Sequence, residues 1–160
     1  MRIGVVSDTH GQVSFTRAAV QMLESLDVEL VLHCGDIGSA DVVRLFDPWP
    51  THFVFGNVDD DVRSLRSAMR TGGHTCHERW GELELAGRRV TLLHGDDNRL
   101  LRQLVESGEY DLVCHGHTHV AAHDVRGRTH VLNPGALHRA RYHSLAIVDL
   151  PDLTITEIKV

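Results

Sequence analysis

A chain of 160 residues with a formal net charge of −6 suits one domain with a substantial core, and makes an extended polyanion such as nucleic acid a poor partner. No apolar stretch is long enough to span a bilayer, and Met1-Arg2 leads straight into an apolar run, so neither a membrane anchor nor a signal peptide is expected and the cytoplasm is the expected compartment. Cys34, Cys76 and Cys114 are odd in number and widely spaced, which fits reduced thiols rather than a disulfide framework, while the 13 histidines ask for an explanation of their own.

Ile3-Gly4-Val5-Val6 reads as a strand covered on both faces, although so short an apolar run also fits a buried helix segment, and it stops at Ser7-Asp8-Thr9-His10-Gly11. Residues 13–26 carry apolar side chains at helical spacing. Residues 29–33 centre on Leu30-Val31-Leu32, a second strand that breaks at Cys34-Gly35-Asp36. Residues 39–46 predict a short helix closed by Asp47-Pro48, because proline disfavours helical geometry in the residue before it. A third strand over residues 51–55 stops at Gly56-Asn57-Val58-Asp59, and the run Asp59-Asp60-Asp61 is expected to open a helix through about residue 69, its carboxylates suiting the helix dipole.

Residues 82–85 and 89–93, joined by Ala86-Gly87-Arg88, predict a hairpin whose second strand runs into His94-Gly95-Asp96. Residues 98–106 are amphipathic, and Ser107-Gly108 supplies a helix stop. Residues 111–115 form a strand leading into Gly116-His117-Thr118-His119. Antiparallel pairs follow at 120–125 with 129–132 and at 144–150 with 153–160, separated by Asn133-Pro134-Gly135. Alternation of strand and helix first and hairpins later predicts an α/β mixed sheet system flanked by helices, in a single domain over residues 1–160.

Five strands therefore finish in Asp8 with His10, Asp36, Asn57, His94, and His117 with His119. The gaps of 28, 21 and 37 residues from Asp8 to Asp36, Asn57 and His94 leave room for crossovers between neighbouring parallel strands. In open α/β sheets ligands bind beyond the carboxyl ends of the strands, so these seven side chains are expected to face one cleft. Two carboxylates, four imidazoles and one amide are too many donors for one ion and suit two ions sharing a carboxylate. Mixed nitrogen and oxygen donors favour manganese, iron, zinc, cobalt or nickel over calcium or magnesium, with manganese taken as the leading occupant. Two such cations polarise a phosphoryl group and activate water, so a small phosphate ester is the expected substrate.

The ordered set Asp8-Thr9-His10, Gly35-Asp36, Gly56-Asn57-Val58-Asp59, His94-Gly95 and Gly116-His117-Thr118-His119 resembles the calcineurin-like metallophosphoesterase family along essentially the whole chain. The short length and the Asn133-Pro134-Gly135 loop are most similar to its small, single-domain microbial phosphodiesterase branch. That resemblance implies a four-layer fold, two mixed sheets packed face to face with helices outside. It implies that Asp8, His10, Asp36 and His119 hold one metal, that Asp36, Asn57, His94 and His117 hold the other, and that a hydroxide between the ions attacks phosphorus. Asn57 would also touch substrate.

Three positions depart from the family pattern. Val58 stands where many members carry a histidine that protonates the leaving group, Asp96 where a second histidine often follows His-Gly, and Ala136 where serine is common. A carboxylate at Asp96 is expected to repel phosphate or to engage a ligand indirectly through hydrogen bonds, shifting substrate preference. Arg139 and Arg141 are candidate phosphate clamps, and His33 and His115 are candidates for orienting ligands. His74, His77, His123, His130, His138 and His143 fit no motif and are expected at the surface. Alternatives to the phosphodiesterase reading are a non-catalytic assembly scaffold on the same fold, as in the vacuolar protein-sorting subunit of retromer, and a dinucleotide polyphosphate hydrolase. No oligomer interface is readable.

Overall fold

The computed structural model describes residues 1–160 in the order β1 (Arg2–Val6), α1 (Val13–Ser25), β2 (Leu30–His33), α2 (Ala40–Arg44), β3 (Thr51–Phe53), α3 (Val62–Thr71), β4 (Thr75–Cys76), β5 (Trp80–Leu85), β6 (Arg88–Leu93), α4 (Asn98–Glu106), β7 (Leu112–Cys114), β8 (Ala122–Arg126), β9 (Thr129–Asn133), β10 (Ser144–Asp149) and β11 (Thr154–Lys159). The strands form a six-stranded sheet, β11-β10-β1-β2-β3-β4, and a five-stranded sheet, β5-β6-β7-β9-β8. No helix is long and apolar enough to cross a membrane.

Period-two alternation assigns each strand's side chains to two different cores. Ile3 and Val5 of β1, with Leu30 and Leu32 of β2, face the second sheet and pack against Val90, Leu92, Leu112 and Cys114. Val6 and Val31 face the other way, against Leu23 of α1, Val43 of α2 and Leu65 of α3. Between these positions Gly4 lies under α1, where an added Cβ would meet Leu23 Cδ2 at 2.6 Å. A third, smaller cluster seats α4 on the outside of the second sheet through Leu93, Leu104, Tyr110 and Val113. The layers are thus three helices, sheet, sheet, and one helix, and the near-continuous apolar runs reflect strands buried on both faces.

β1, β2 and β3 are mutually parallel, with Ile3 opposite Leu30 and Val31 opposite Thr51. β6 and β7 are parallel in the second sheet. The spacing argument holds within each sheet and fails between them: the stretch from Asn57 to His94 passes from one sheet to the other rather than returning to a neighbouring strand. β4 has no signature in the sequence. It forms because the His77 N–H donates to the Phe53 carbonyl at 2.9 Å and the Phe55 N–H to the Glu78 carbonyl at 2.6 Å, with Cys76 packed against the helix-facing core.

Two histidines expected at the surface are instead part of the packing. The His74 ring sits edge-on to Phe53 with its side chain fully covered, Nε2 lying 3.1 Å from Asp47 Oδ1. His77 is half-buried and its Nε2 lies 2.8 Å from His52 Nδ1. The fully buried His33 sits between Phe46 and Phe53. The Gly35 N–H donates to its Nδ1 at 3.3 Å, which leaves Nε2–H to donate to Thr9 Oγ1 at 3.0 Å, and the Thr9 hydroxyl donates in turn to the Ile37 carbonyl at 3.0 Å. His33 therefore ties together the loops that follow β1 and β2.

Burial pushes the His33 imidazole down to about 3. The folded state holds it neutral while the unfolded chain protonates it below about 6.5, so its contribution is complete above that pH and is lost as the pH falls towards 3, by about 1.4 kcal/mol per unit. Urea titrations of the metal-free protein between pH 7 and pH 4.5 are expected to show this loss. His33→Asn, less stable at pH 7, is expected to lose stability more gradually over the same window.

Candidate metal centre

The carboxyl ends of the parallel strands from both sheets meet at one edge. The chain continues its parallel pairing past β1 and β2: the Asp8 N–H donates to the Gly35 carbonyl (3.0 Å), His10 to Asp36 (2.9 Å) and Gly11 to Ile37 (2.8 Å). Across the sandwich, the His117 N–H donates to Asp8 Oδ2 at 3.1 Å, and the Gly116 N–H to the His94 carbonyl at 2.8 Å. Asp8, His10, Asp36, His117 and His119 all have left-handed backbones, with φ of 54, 45, 54, 71 and 59°. Such strain in non-glycine residues persists only where surrounding bonds over-determine it, and it concentrates at functional sites.

All seven donors predicted from the sequence come together. One oxygen or nitrogen from each of Asp8, His10, Asp36 and His119 lies within 4.8 Å of the others. Asp36 Oδ2 is 3.6 Å from His10 Nε2 and 3.3 Å from His94 Nε2, so one carboxylate stands between two groups of ligands. His94 Nε2 is 3.1 Å from Asn57 Oδ1, and the His94 and His117 rings are 5.1 Å apart. Asp36 is fixed by the Val58 N–H, which donates to its Oδ1 at 3.2 Å.

Histidine tautomers decide what this arrangement requires. His119 Nδ1 lies 3.2 Å from the Arg139 carbonyl and His94 Nδ1 lies 2.9 Å from the Cys34 carbonyl. A carbonyl only accepts, so both Nδ1 atoms donate and the neutral rings turn an Nε2 lone pair into the cleft. There His119 Nε2 faces Asp8 Oδ1 at 3.1 Å and His10 Nε2 at 3.2 Å, while His94 Nε2 faces Asp36 and Asn57 oxygens. Asp8 Oδ1 is buried and has no hydrogen-bond partner. Acceptors aimed at acceptors in a partly buried site are stable around cations, and nitrogen mixed with oxygen suits divalent transition metals.

Burial by itself would push the Asp36 carboxyl up. In the metal-free site a proton on His94 Nε2, favoured by the hydrogen bond to Asp36, takes a cation's place; it and the Val58 N–H outweigh burial and leave Asp36 below the usual carboxylate range. The thiols nearest the site are not competing ligands: burial holds Cys34 and Cys114 well above the ordinary thiol range, so thiolate is unavailable.

Comparison with known proteins follows the same outline. Residues 1–152 match the model of the calcineurin-like phosphoesterase superfamily domain. The chain belongs to that superfamily. It is 29% identical over 138 residues to a phosphodiesterase of Methanocaldococcus jannaschii, covering 84% of this chain and 83% of that protein. A solved structure of an archaeal phosphodiesterase superposes with a TM-score of 0.93 at 26% identity over the whole of both chains. Vps29 of Entamoeba histolytica, solved with zinc, shares the fold at a TM-score of 0.67 and 18% identity, covering 100% of this chain and 98% of that one.

Within this calcineurin-like fold, the flanking residues correct several expectations. Asp59 does not open α3; Asp61 does, its side chain accepting from the Ser64 N–H at 3.1 Å. Asp59 is buried and accepts from the Gly38 N–H (2.9 Å) and the Gly56 N–H (2.8 Å), stapling the loop after β2 to the loop after β3. Its place two residues after Asn57 was the available signal. Asp96 carries an ion pair that spacing did not show: Arg79 from the loop before β5 lies 2.5 Å from its Oδ2. Arg139 touches the site through its carbonyl, and neither Arg139 nor Arg141 forms an ion pair. His138, expected at the surface, brings its ring to 5.7 Å from that of His10. His115 Nδ1 lies 3.1 Å from the Gly116 carbonyl, beneath the His117 loop.

Two glycines let the loops approach this closely. A Cβ on Gly56 would overlap Asp36 Oδ1 and its backbone nitrogen, and one on Gly116 would overlap Ser7 Oγ and crowd Asp8 Oδ2. Gly56→Ala is therefore expected to displace the shared carboxylate while leaving the sheets intact. Calorimetric titration with manganese should read affinity about 10- to 100-fold weaker than in the parent chain, the range for losing a group that orients ligands.

Proposed function

We propose that the protein is a phosphodiesterase with a dinuclear centre. Asp8, His10, Asp36 and His119 would hold one divalent ion and Asp36, Asn57, His94 and His117 the other, with manganese the leading occupant and iron, zinc, cobalt or nickel as alternatives. The observation that carries this reading is the position of Asp36 Oδ2, within 3.6 Å of His10 and 3.3 Å of His94, shared between two sets of converging lone pairs. When bound, such a pair of ions polarises the phosphoryl group and supplies activated water. The likeness to archaeal phosphodiesterases supports the diester as substrate class.

The chain's own residues set the rest of the chemistry. Asn57 would offer its amide to a metal or to a phosphoryl oxygen, and Arg139 and Arg141, on the loop after β9, are the candidates to clamp the phosphate. Val58 is 44% exposed and has no proton to give. Its N–H is occupied with Asp36, so the segment that elsewhere in the family supplies an acid here supplies only a ligand's support. The cluster of metal-capable donors together with the likeness to phosphodiesterases favours an enzyme over an assembly scaffold. A small cytoplasmic phosphate ester is the substrate this reading assigns.

Asp36→Asn is expected to lower turnover of bis(p-nitrophenyl) phosphate by at least about a thousandfold, on the scale of removing a principal catalytic group. Metal analysis of the same variant should count one ion or none where the parent counts two. Full activity in Asp36→Asn would end the mechanism. With no acid at Val58, diesters with aryl leaving groups should turn over faster than alkyl diesters by about 10²- to 10⁴-fold at saturation, the range that general acid catalysis contributes. Equal kcat for the two classes would show that another group protonates the leaving oxygen.

A further inference from the structure

The loop between β4 and β5 crosses from one sheet to the other and carries Arg79 to the rim of the metal centre. The bond from the Phe55 N–H to the Glu78 carbonyl, 2.6 Å, fixes the backbone just before Arg79. Arg79 then donates from Nη1 to the Gly56 carbonyl at 3.4 Å and from Nη2 to Asp96 Oδ2 at 2.5 Å. Gly56 precedes Asn57, and Asp96 follows His94-Gly95, so the ion pair spans the two loops that present the second group of donors. A cavity of about 160 Å³ opens there, lined by Arg79, Leu93, His94, Asp96, Asp97 and Leu100.

The lining selects the chemistry of its ligand. The guanidinium has five N–H groups, of which two are committed to Gly56 and Asp96. Asp96 keeps a second carboxylate oxygen for a donor. Asp97 accepts from the Arg99 and Leu100 N–H groups at 3.0 Å each, which closes the N-terminus of α4 to an incoming anion. Two carboxylates against one guanidinium disfavour a second phosphate or a carboxylate on the substrate. What remains is a donor and an acceptor side by side beside an apolar wall. That pair fits adjacent hydroxyls, one accepting from Arg79 and the other donating to Asp96.

We propose that this cavity is the subsite for one ester arm of the substrate and that the arm carries a vicinal diol, as glycerol and ribose do. The inference rests on the phosphodiester reading and adds to it the class of alcohol. Arg79 and Asp96 are specificity residues here, acting on an arm of the ester and not on the reacting phosphorus.

The test keeps one leaving group and varies the other arm, comparing p-nitrophenyl diesters of glycerol, of the uridine 5′-hydroxyl and of ethanol. The expected result is a KM about tenfold lower for at least one diol ester than for the ethyl ester at similar kcat, the scale of one or two hydrogen bonds to charged groups. Preference for the glycerol or the uridine ester identifies the source of the diol. Arg79→Gln and Asp96→Asn should each bring the ratio of ethyl to diol KM towards 1. Both sites lie at the surface, and thermal melts confirm folding.

Equal KM values in the parent chain, or a ratio that survives both substitutions, would overturn the subsite. Failure to hydrolyse any ester, bis(p-nitrophenyl) phosphate included, would instead overturn the phosphoesterase reading. The diol preference is then read by calorimetry on manganese-loaded protein, as binding of glycerol 3-phosphate and uridine 5′-phosphate against ethyl phosphate. Equal affinities there reject the subsite, and tighter binding of either diol supports it.

Discussion

Lone pairs that converge in a partly buried cleft are the constraint around which this protein is built. Backbone carbonyls of Cys34 and Arg139 take the Nδ1 protons of His94 and His119, so both rings present acceptors to oxygens that are also acceptors. Left-handed backbone at five of the seven donors adds strain of about 1–3 kcal/mol per residue. Hydrogen bonds that continue the β1–β2 pairing beyond the strands, and the staple that Asp59 makes between Gly38 and Gly56, hold that geometry in place. Cations bound between the donors offset both the repulsion and the strain, which makes metal binding and the conformation of the loops one equilibrium.

The same logic explains why polar groups deep in the first sheet are neutral. His33 lies among Phe46 and Phe53, yet each ring nitrogen has a partner, and the chain of bonds runs through Thr9 to the Ile37 carbonyl. A buried imidazolium would add a positive charge under a cluster of donors suited to a cation. Burial removes that charge while keeping the hydrogen bonds that set the angle between the two loops. Cys34 and Cys114 follow the same rule as small, uncharged side chains where the sheets press together.

Strands β1, β2, β3, β6 and β7 were legible because each is an apolar run ending in a polar residue, and that contrast survives any arrangement in space. The seven donors followed from it, since a strand's carboxyl end is fixed by where its apolar run stops. β4 was not legible, because it is only two residues long and Cys76 alone of them packs on the core. Asp59 was misassigned for a related reason: three consecutive aspartates suit a helix start equally well, and only the fold shows which of them finds two loop N–H groups instead. Arg79 lies 22 residues from Asn57 and 17 from Asp96, and nothing in its neighbours marks it. Its place comes from the crossing between sheets, which sequence spacing had taken for a crossover within one sheet.

That crossing bears on how the centre is gauged. Asp8, His10, Asp36 and Asn57 ride on the first sheet, while His94, His117 and His119 ride on the second, so the separation of the donors depends on how far apart the sheets sit. The layer between them is built from Ile3, Val5, Leu32, Leu92, Leu112 and Cys114, and sheets packed face to face keep about 10 Å between them. The helix-facing cluster can absorb changes in volume by moving a helix outward, because no donor is carried on α1, α2 or α3. The inter-sheet layer has no such freedom. A methylene added or removed there shifts one set of donors against the other, so its packing governs the spacing of the donors more directly than the larger core does.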